Sequence, residues 1–186
     1  RPAYRLDPKA ELLESFNYSL AIPEPFAPWL EFRGEYSPAI AKAVQSFLVG
    51  DDQKLDREKR LELAQQQLRI RGAEDAIDAG ALLRHAEAFR QFAEKRFAPE
   101  RWLPKFPLEG PLGERRLAVE ADLFLENKNS VAFFTFTGFA EGMKKWKEQA
   151  RHGAQFYGWL SRLAPQDIPE KEIQYWLVFA LEGQAV

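Results

Sequence analysis

The chain has 186 residues, 46% of them hydrophobic and 29% charged, which suffices for one domain with its own core and excludes a disordered chain. Cysteine is absent, which excludes disulfides, thiolate zinc sites and iron–sulfur clusters, and fits a cytoplasmic protein. The formal net charge of -2 gives no broad basic field for nonspecific DNA binding, and no apolar run is long enough to cross a bilayer, so we expect no membrane partner.

The N-terminal stretch 1–36 is rich in proline and aromatic residues, and we expect an extended arm packed on a single domain that spans 37–186. Each proline disfavours helix for itself and for the residue before it, although a short helix is predicted over 9–16. A linker from an upstream domain explains the same pattern equally well. Because the chain starts with Arg1 and no charged-then-apolar leader follows, we expect a C-terminal piece of a longer protein.

Three helices are predicted after the arm. Ser37 and Pro38 are typical of a helix N-cap and first turn, and they begin the first helix. The spacing of apolar residues predicts amphipathic helices over 56–71 and 78–97. His85 lies beside the apolar stripe of the third helix among charged residues, so we expect an ordinary surface or boundary histidine.

Strands dominate the second half of the chain, and they are predicted over 101–108, 116–126, 131–137 and 173–181. Glycine and proline predict a turn over 109–114, and apolar periodicity predicts a long helix over 143–163. The predicted fold class is therefore α/β, with a mixed central sheet flanked by helices.

The two middle strands form a hairpin around a polar break. Period-2 alternation gives each strand one face that carries polar side chains. These faces hold Glu120, Asp122 and Phe124 on the first strand, and Phe133, Thr135 and Thr137 on the second. If both faces point to the same side, an otherwise apolar sheet carries a small polar patch.

This hairpin resembles the core of the PD-(D/E)XK nucleases, in the RecB-like branch found at the C-terminal end of UvrD-type helicases. In that family the first strand carries a fixed Asp in an apolar run, and Asp122 in Val-Glu-Ala-Asp-Leu-Phe-Leu matches it. The family's second strand ends in Asp-x-Lys-Thr, where this chain has Thr135 for the acid and Thr137 for the lysine. The resemblance implies a restriction-endonuclease-like core over about 37–186.

Other positions of the family's site can be matched one by one. Ala41 stands where the family's first helix has a His that helps to line the metal site. Lys105 stands where a Glu is common, which reverses the charge. Gln155 matches the Gln of a Gln-Leu-x-x-Tyr helix motif, and 174–183 resembles the closing strand of helicase-attached members.

These departures predict a domain without catalysis. Cleavage in this family needs Mg²⁺ held by negatively charged carboxylates, and it also needs a positively charged lysine nearby. A threonine hydroxyl is neutral and can replace neither group. We therefore expect no cofactor, and a structural, DNA-guiding or docking role beside the motor domains of a parent ATP-dependent DNA helicase in repair or recombination. Candidate contacts to a phosphate backbone are Lys144, Lys145, Lys147 and Arg151, although a solvated helix face is the simpler interpretation.

Two alternatives stay open. In the first, the domain is an active nuclease in which Glu120 and Asp122 hold Mg²⁺ together with a migrated residue such as Glu141. In the second, it is a protein–protein interaction module unrelated to helicases, which exposes an apolar patch at Trp29, Phe32 or the helix around Trp146.

Overall fold

A six-stranded sheet forms the centre of this computed structural model, which describes residues 19, 21–112, 115–137, 145–163 and 171–186. The strands are β1 (Glu24–Pro25), β2 (Arg101–Leu112), β3 (Arg115–Glu126), β4 (Ser130–Thr137), β5 (Glu172–Phe179) and β6 (Gln184–Ala185). Their order across the sheet is β1-β6-β5-β4-β3-β2. Because β4 and β5 run parallel and the other neighbours antiparallel, the predicted α/β fold with a mixed central sheet is confirmed.

Four helices lie in the described part of the chain: α1 (Pro38–Gly50), α2 (Arg57–Ile70), α3 (Ala79–Phe97) and α4 (Trp146–Leu163). Each of the first three begins at a side-chain cap, which satisfies one of the free amides of the first turn. The capping residues are Ser37, Asp56 and Asp78, which accept from the amides of Ile40, Lys59 and Ala81. The predicted N-cap at Ser37 is therefore confirmed, and the helices predicted over 56–71 and 78–97 begin within one residue of the predicted positions.

The helices cover both faces of the sheet. The apolar residues Leu123, Leu125 and Phe134 share one core with α1, α2 and α3. Their neighbours along the strands, Phe124 and Phe133, share a second core with Tyr157 and Leu160 of α4. The predicted alternation is thus confirmed over 123–125 and 133–134, and the polar face of the hairpin points towards α4. It does not hold along the whole of β3, because Val119 and Ala121 pack in the second core together with Phe124.

The described part of the arm, 21–36, runs along the far edge of the sheet. Glu24 and Pro25 pair with Ala185 and Gln184, and the Leu30 amide donates to the Leu181 carbonyl at 2.8 Å. Leu30 is buried in the core beneath α3. The helix predicted over 9–16 lies outside the described residues.

Two predictions about local structure are wrong. Most of the turn predicted over 109–114 is strand, because β2 continues to Leu112 and pairs with β3 as far as Arg115. His85 is buried, with 4% of its surface exposed, and its Nε2 donates to the Ala180 carbonyl at 2.6 Å. Burial lowers the pKa of His85, because the charged imidazolium loses its hydration.

Of the helices in the described ranges, none combines the length and the apolar character needed to cross a bilayer.

Candidate functional site

The candidate residues meet where β3 and β4 stop pairing. Their antiparallel ladder runs from Glu126–Val131 to Leu123–Phe134 and ends there. Beyond this point β3 stays paired with β2, and β4 stays paired with β5. Backbone groups of β4 that would have bonded to β3 therefore need other partners.

Two side chains supply those partners at Phe136. Its amide donates to Asp122 Oδ2 at 2.9 Å, and its carbonyl accepts from Gln45 Nε2 at 3.1 Å. The N–H and C=O of one strand residue point to the same side of the strand. Both bonds therefore replace the backbone hydrogen bonds that β3 makes to β4 where the two strands are paired. Asp122 of β3 and Gln45 of α1 thereby hold the end of β4 in place.

The ammonium of Lys105 is bonded to the second carboxyl oxygen of Asp122. Its Nζ lies 2.9 Å from Asp122 Oδ1 and 3.3 Å from Glu120 Oε1. The hydrogen bond to Asp122 is the main reason that the pKa of Lys105 lies above its ordinary value. The ammonium therefore already forms ion pairs with both carboxylates that the sequence offers as metal ligands.

The backbone of Lys105 is itself unusual. Its φ of 56° lies in the left-handed region, which costs a residue with a Cβ about 1–2 kcal/mol. The residue sits between the ladder pairs Pro104–Leu123 and Phe106–Ala121, directly across from Asp122. Strain of this kind persists only where surrounding contacts hold it, and here the ion pairs to β3 and the flanking ladder do so.

Thr135 is engaged by the next strand. Its hydroxyl is hydrogen-bonded to the hydroxyl of Tyr175 of β5. Burial raises the pKa of Tyr175 to about 12, although the bond to Thr135 acts in the opposite direction. The Tyr175 ring stacks on Tyr157 at 5.3 Å between centroids, and it lies against Gly153 of α4.

The remaining predicted site residues are scattered around this centre. Ala41 is buried in α1, one turn before Gln45, and Thr137 accepts at its carbonyl from the Ala180 amide at 3.2 Å. Gln155 is buried on α4, two residues before Tyr157. The basic residues of this region that the structure describes, Lys145, Lys147 and Arg151, are exposed, and Lys144 and Glu141 lie outside the described residues.

Sequence reasoning missed three contributors to the site: Gln45, Tyr175 and the Phe136 backbone. Gln45 is detectable in principle, because it lies one helical turn after Ala41 and so shares its face. Tyr175 carries no local signal, because only the parallel pairing of β4 with β5 brings it to Thr135.

The donor set at this point of the sheet does not fit Mg²⁺. The ion prefers several carboxylate oxygens with room for water, whereas both Asp122 oxygens are taken and Thr135 offers a neutral hydroxyl. Among the described residues, no three His, Asp or Glu side chains gather closely enough to hold a metal ion. What the arrangement can do is lock three neighbouring strands together.

No protein-family model matches the chain, and no curated protein matches its sequence. Functional inference therefore starts from the contacts around Asp122 and from the motif resemblance.

The contact between Gly153 and Tyr175 gives a test of how tightly the site is closed. A Cβ on Gly153 would overlap the Tyr175 ring, so we expect Gly153→Ala to lower the free energy of unfolding by about 1–3 kcal/mol in urea titrations. The matched control is Gly50→Ala, where a Cβ meets nothing within 4 Å and no loss is expected. Equal effects of the two substitutions would contradict this packing.

Proposed function

We propose that this chain is a RecB-like nuclease domain of a UvrD-type DNA helicase that has lost cleavage and serves as a scaffold. The observation that carries the proposal is the full engagement of Asp122, with Lys105 on one oxygen and the Phe136 amide on the other. A carboxylate held in this way acts as a strand connector. The restriction-endonuclease-like core belongs to the same proposal, and the α/β sheet with a central β3–β4 hairpin supports it.

The substituted positions support the proposal together rather than singly. Lys105 places a cation where the family has an acid, and Thr135 is bonded to a buried tyrosine hydroxyl. Ala41 has no ligand atom, and Thr137 has no positive charge. Three of the replacements remove a His or an acid from the family's metal site, and the fourth removes the positive charge of the lysine.

A DNA-guiding role rests on the outer side of α4. Lys145, Lys147 and Arg151 are exposed, and none of them forms an ion pair with a described residue. Exposed cations on one helix release counterions from a phosphate backbone at little desolvation cost. With a formal net charge of only -2, the domain has no strong field to oppose such a local contact.

The first prediction of this proposal concerns cleavage. With labelled single- and double-stranded DNA and either Mg²⁺ or Mn²⁺, we expect no metal-dependent nicking by the wild-type chain. The reason is that Lys105 and the Phe136 amide already occupy the Asp122 oxygens. The measurement is the yield of cleaved strand on a denaturing gel.

The variants of this assay separate a real site from contamination. Asp122→Ala removes the only family carboxylate, and Asp75→Ala is the matched control at an exposed position. Metal-dependent nicking that Asp122→Ala abolishes and Asp75→Ala preserves would overturn the proposal and establish the active nuclease that uses Glu120 and Asp122.

The second prediction concerns the exposed cations of α4. We expect the triple substitution Lys145→Ala, Lys147→Ala and Arg151→Ala to weaken binding of single-stranded DNA. The slope of log K against log salt should fall by about 0.7 for each phosphate that the variant no longer neutralises, as measured by fluorescence anisotropy. The matched control replaces Lys42, Lys54 and Arg71 by alanine, which removes the same charge from exposed positions of the other helical layer. Equal slopes for the two triple variants would remove α4 from the proposal.

A second candidate function, protein–protein interaction, is favoured by the exposed apolar residues of the arm. Trp29 is 44% exposed and Ile22 is 82% exposed. The other two predicted aromatics, Phe32 and Trp146, pack partly against buried clusters. Of the three predicted aromatic positions, only Trp29 on the arm is therefore exposed enough to offer an interaction surface.

Docking on the motor domains of the parent protein, which belongs to the first proposal, is tested through the same arm by calorimetry with those domains. We expect Trp29→Ala to weaken the association by about tenfold or more, because exposed aromatic anchors carry much of the energy of an interface. Ile70→Ala is the control, since Ile70 is 67% exposed at the end of α2 and away from the arm. Unchanged affinity of the Trp29 variant would exclude docking through the arm.

A further inference from the structure

The turn over 180–183, between β5 and β6, joins the arm to the rest of the fold. Its backbone carbonyls accept from the amides of Leu30 at 2.8 Å and of Phe26 and Ala27 at 2.7 and 3.2 Å. His85 of α3 donates to the carbonyl of Ala180. A Cβ on Gly183, whose φ is 66°, would overlap the Ala27 carbonyl, so arm and turn are in close contact.

Glu182 lies within this turn and is buried. Only 8% of its surface is exposed, and neither carboxyl oxygen receives a hydrogen bond from any other described residue. No lysine or arginine of the described ranges forms an ion pair with it. A buried charge without a partner is strongly disfavoured, so the neutral carboxyl is the form that suits the closed arm.

The titratable groups that face this carboxyl come from the arm and from α3. Tyr36 ends the described arm, and its pKa lies above the ordinary value because of burial and the Glu182 charge. His85 is held neutral by burial and contacts Ala180, two residues before Glu182. Neither group supplies the positive charge that an ionised Glu182 needs.

We propose that residues 24–30 form a strap over the turn 180–183 that is closed while Glu182 is protonated and loosens when Glu182 ionises. Ionisation favours any state in which water reaches the carboxylate, and lifting the strap uncovers the turn in which Glu182 lies. The strap bonds to the turn through three backbone amides and includes the edge strand β1, so it can lift while β2 to β6 stay paired.

The direction of the pH dependence follows from the buried carboxyl. Burial holds the pKa of Glu182 above its ordinary value in the closed state, whereas the open state restores a value of about 4.3. Closure is therefore most favourable below that ordinary pKa, and it weakens as the pH rises towards the raised pKa. His85 acts in the opposite sense. Its pKa is lowered while it is buried, so protonation of His85 in acid favours the open state.

The experiment measures hydrogen exchange of the Phe26, Ala27 and Leu30 amides by NMR on the whole 186-residue chain, corrected for intrinsic exchange rates. In the wild type we expect protection to fall with rising pH by up to about tenfold for each pH unit in the window where Glu182 ionises. Glu182→Gln keeps the side-chain size but cannot ionise, so its protection should lack this fall. The ratio of wild-type protection to Glu182→Gln protection at each pH cancels the contribution of His85, because both chains contain this histidine.

Two comparisons make the result decisive. Glu31→Gln removes the same charge from an exposed position of the arm and should behave as the wild type does. In the wild-type sample itself, the core amide of Phe89 reports unfolding of the whole domain, which also exposes Glu182. The amides of Phe26, Ala27 and Leu30 should be less protected than the Phe89 amide at every pH, which shows that the strap opens by itself and keeps the test valid if Glu182→Gln folds poorly. A ratio that stays constant with pH within about twofold, or arm amides that are as protected as the Phe89 amide, would overturn the proposal.

Discussion

The hydrogen bonds at Phe136 decide how the centre of this sheet is built. A strand whose neighbour leaves must satisfy its amide and carbonyl elsewhere, since unpaired buried backbone groups cost about as much as a lost hydrogen bond. Asp122 and Gln45 do this from opposite layers of the fold, one on β3 and one on α1. The separation of β3 from β4 is therefore stable only while these two side chains keep their places.

The need to bond the Phe136 amide determines which role the Asp122 carboxylate can have. A metal ligand needs a free oxygen and space around it, whereas a strand connector needs fixed bonds on both oxygens. Lys105 completes the second arrangement, and it does so from a left-handed backbone position that the chain adopts at a cost. The ion pair is half exposed and adds little stability, so its main effect is on the chemistry of the carboxylate.

Much of the architecture can be read from local pattern. Alternation in β3 and β4 predicts which side chains face α4, and Ser37 with Pro38 predicts the start of α1, because these signals act over a few residues. The burial of His85 cannot be read in this way, since its partner Ala180 lies 95 residues away. The same holds for Tyr175 at Thr135, which depends on a parallel pairing that no turn specifies.

These distant partners also explain why no single substitution would create a metal site around Asp122. Thr135→Asp would place a carboxylate beside the hydroxyl of Tyr175, which would donate to it and so occupy one of its oxygens. Removing Lys105 would free one oxygen of Asp122 and leave the other bound to Phe136. The ammonium, the phenol and the strand amide would all have to move before a metal ion could bind at this point of the sheet.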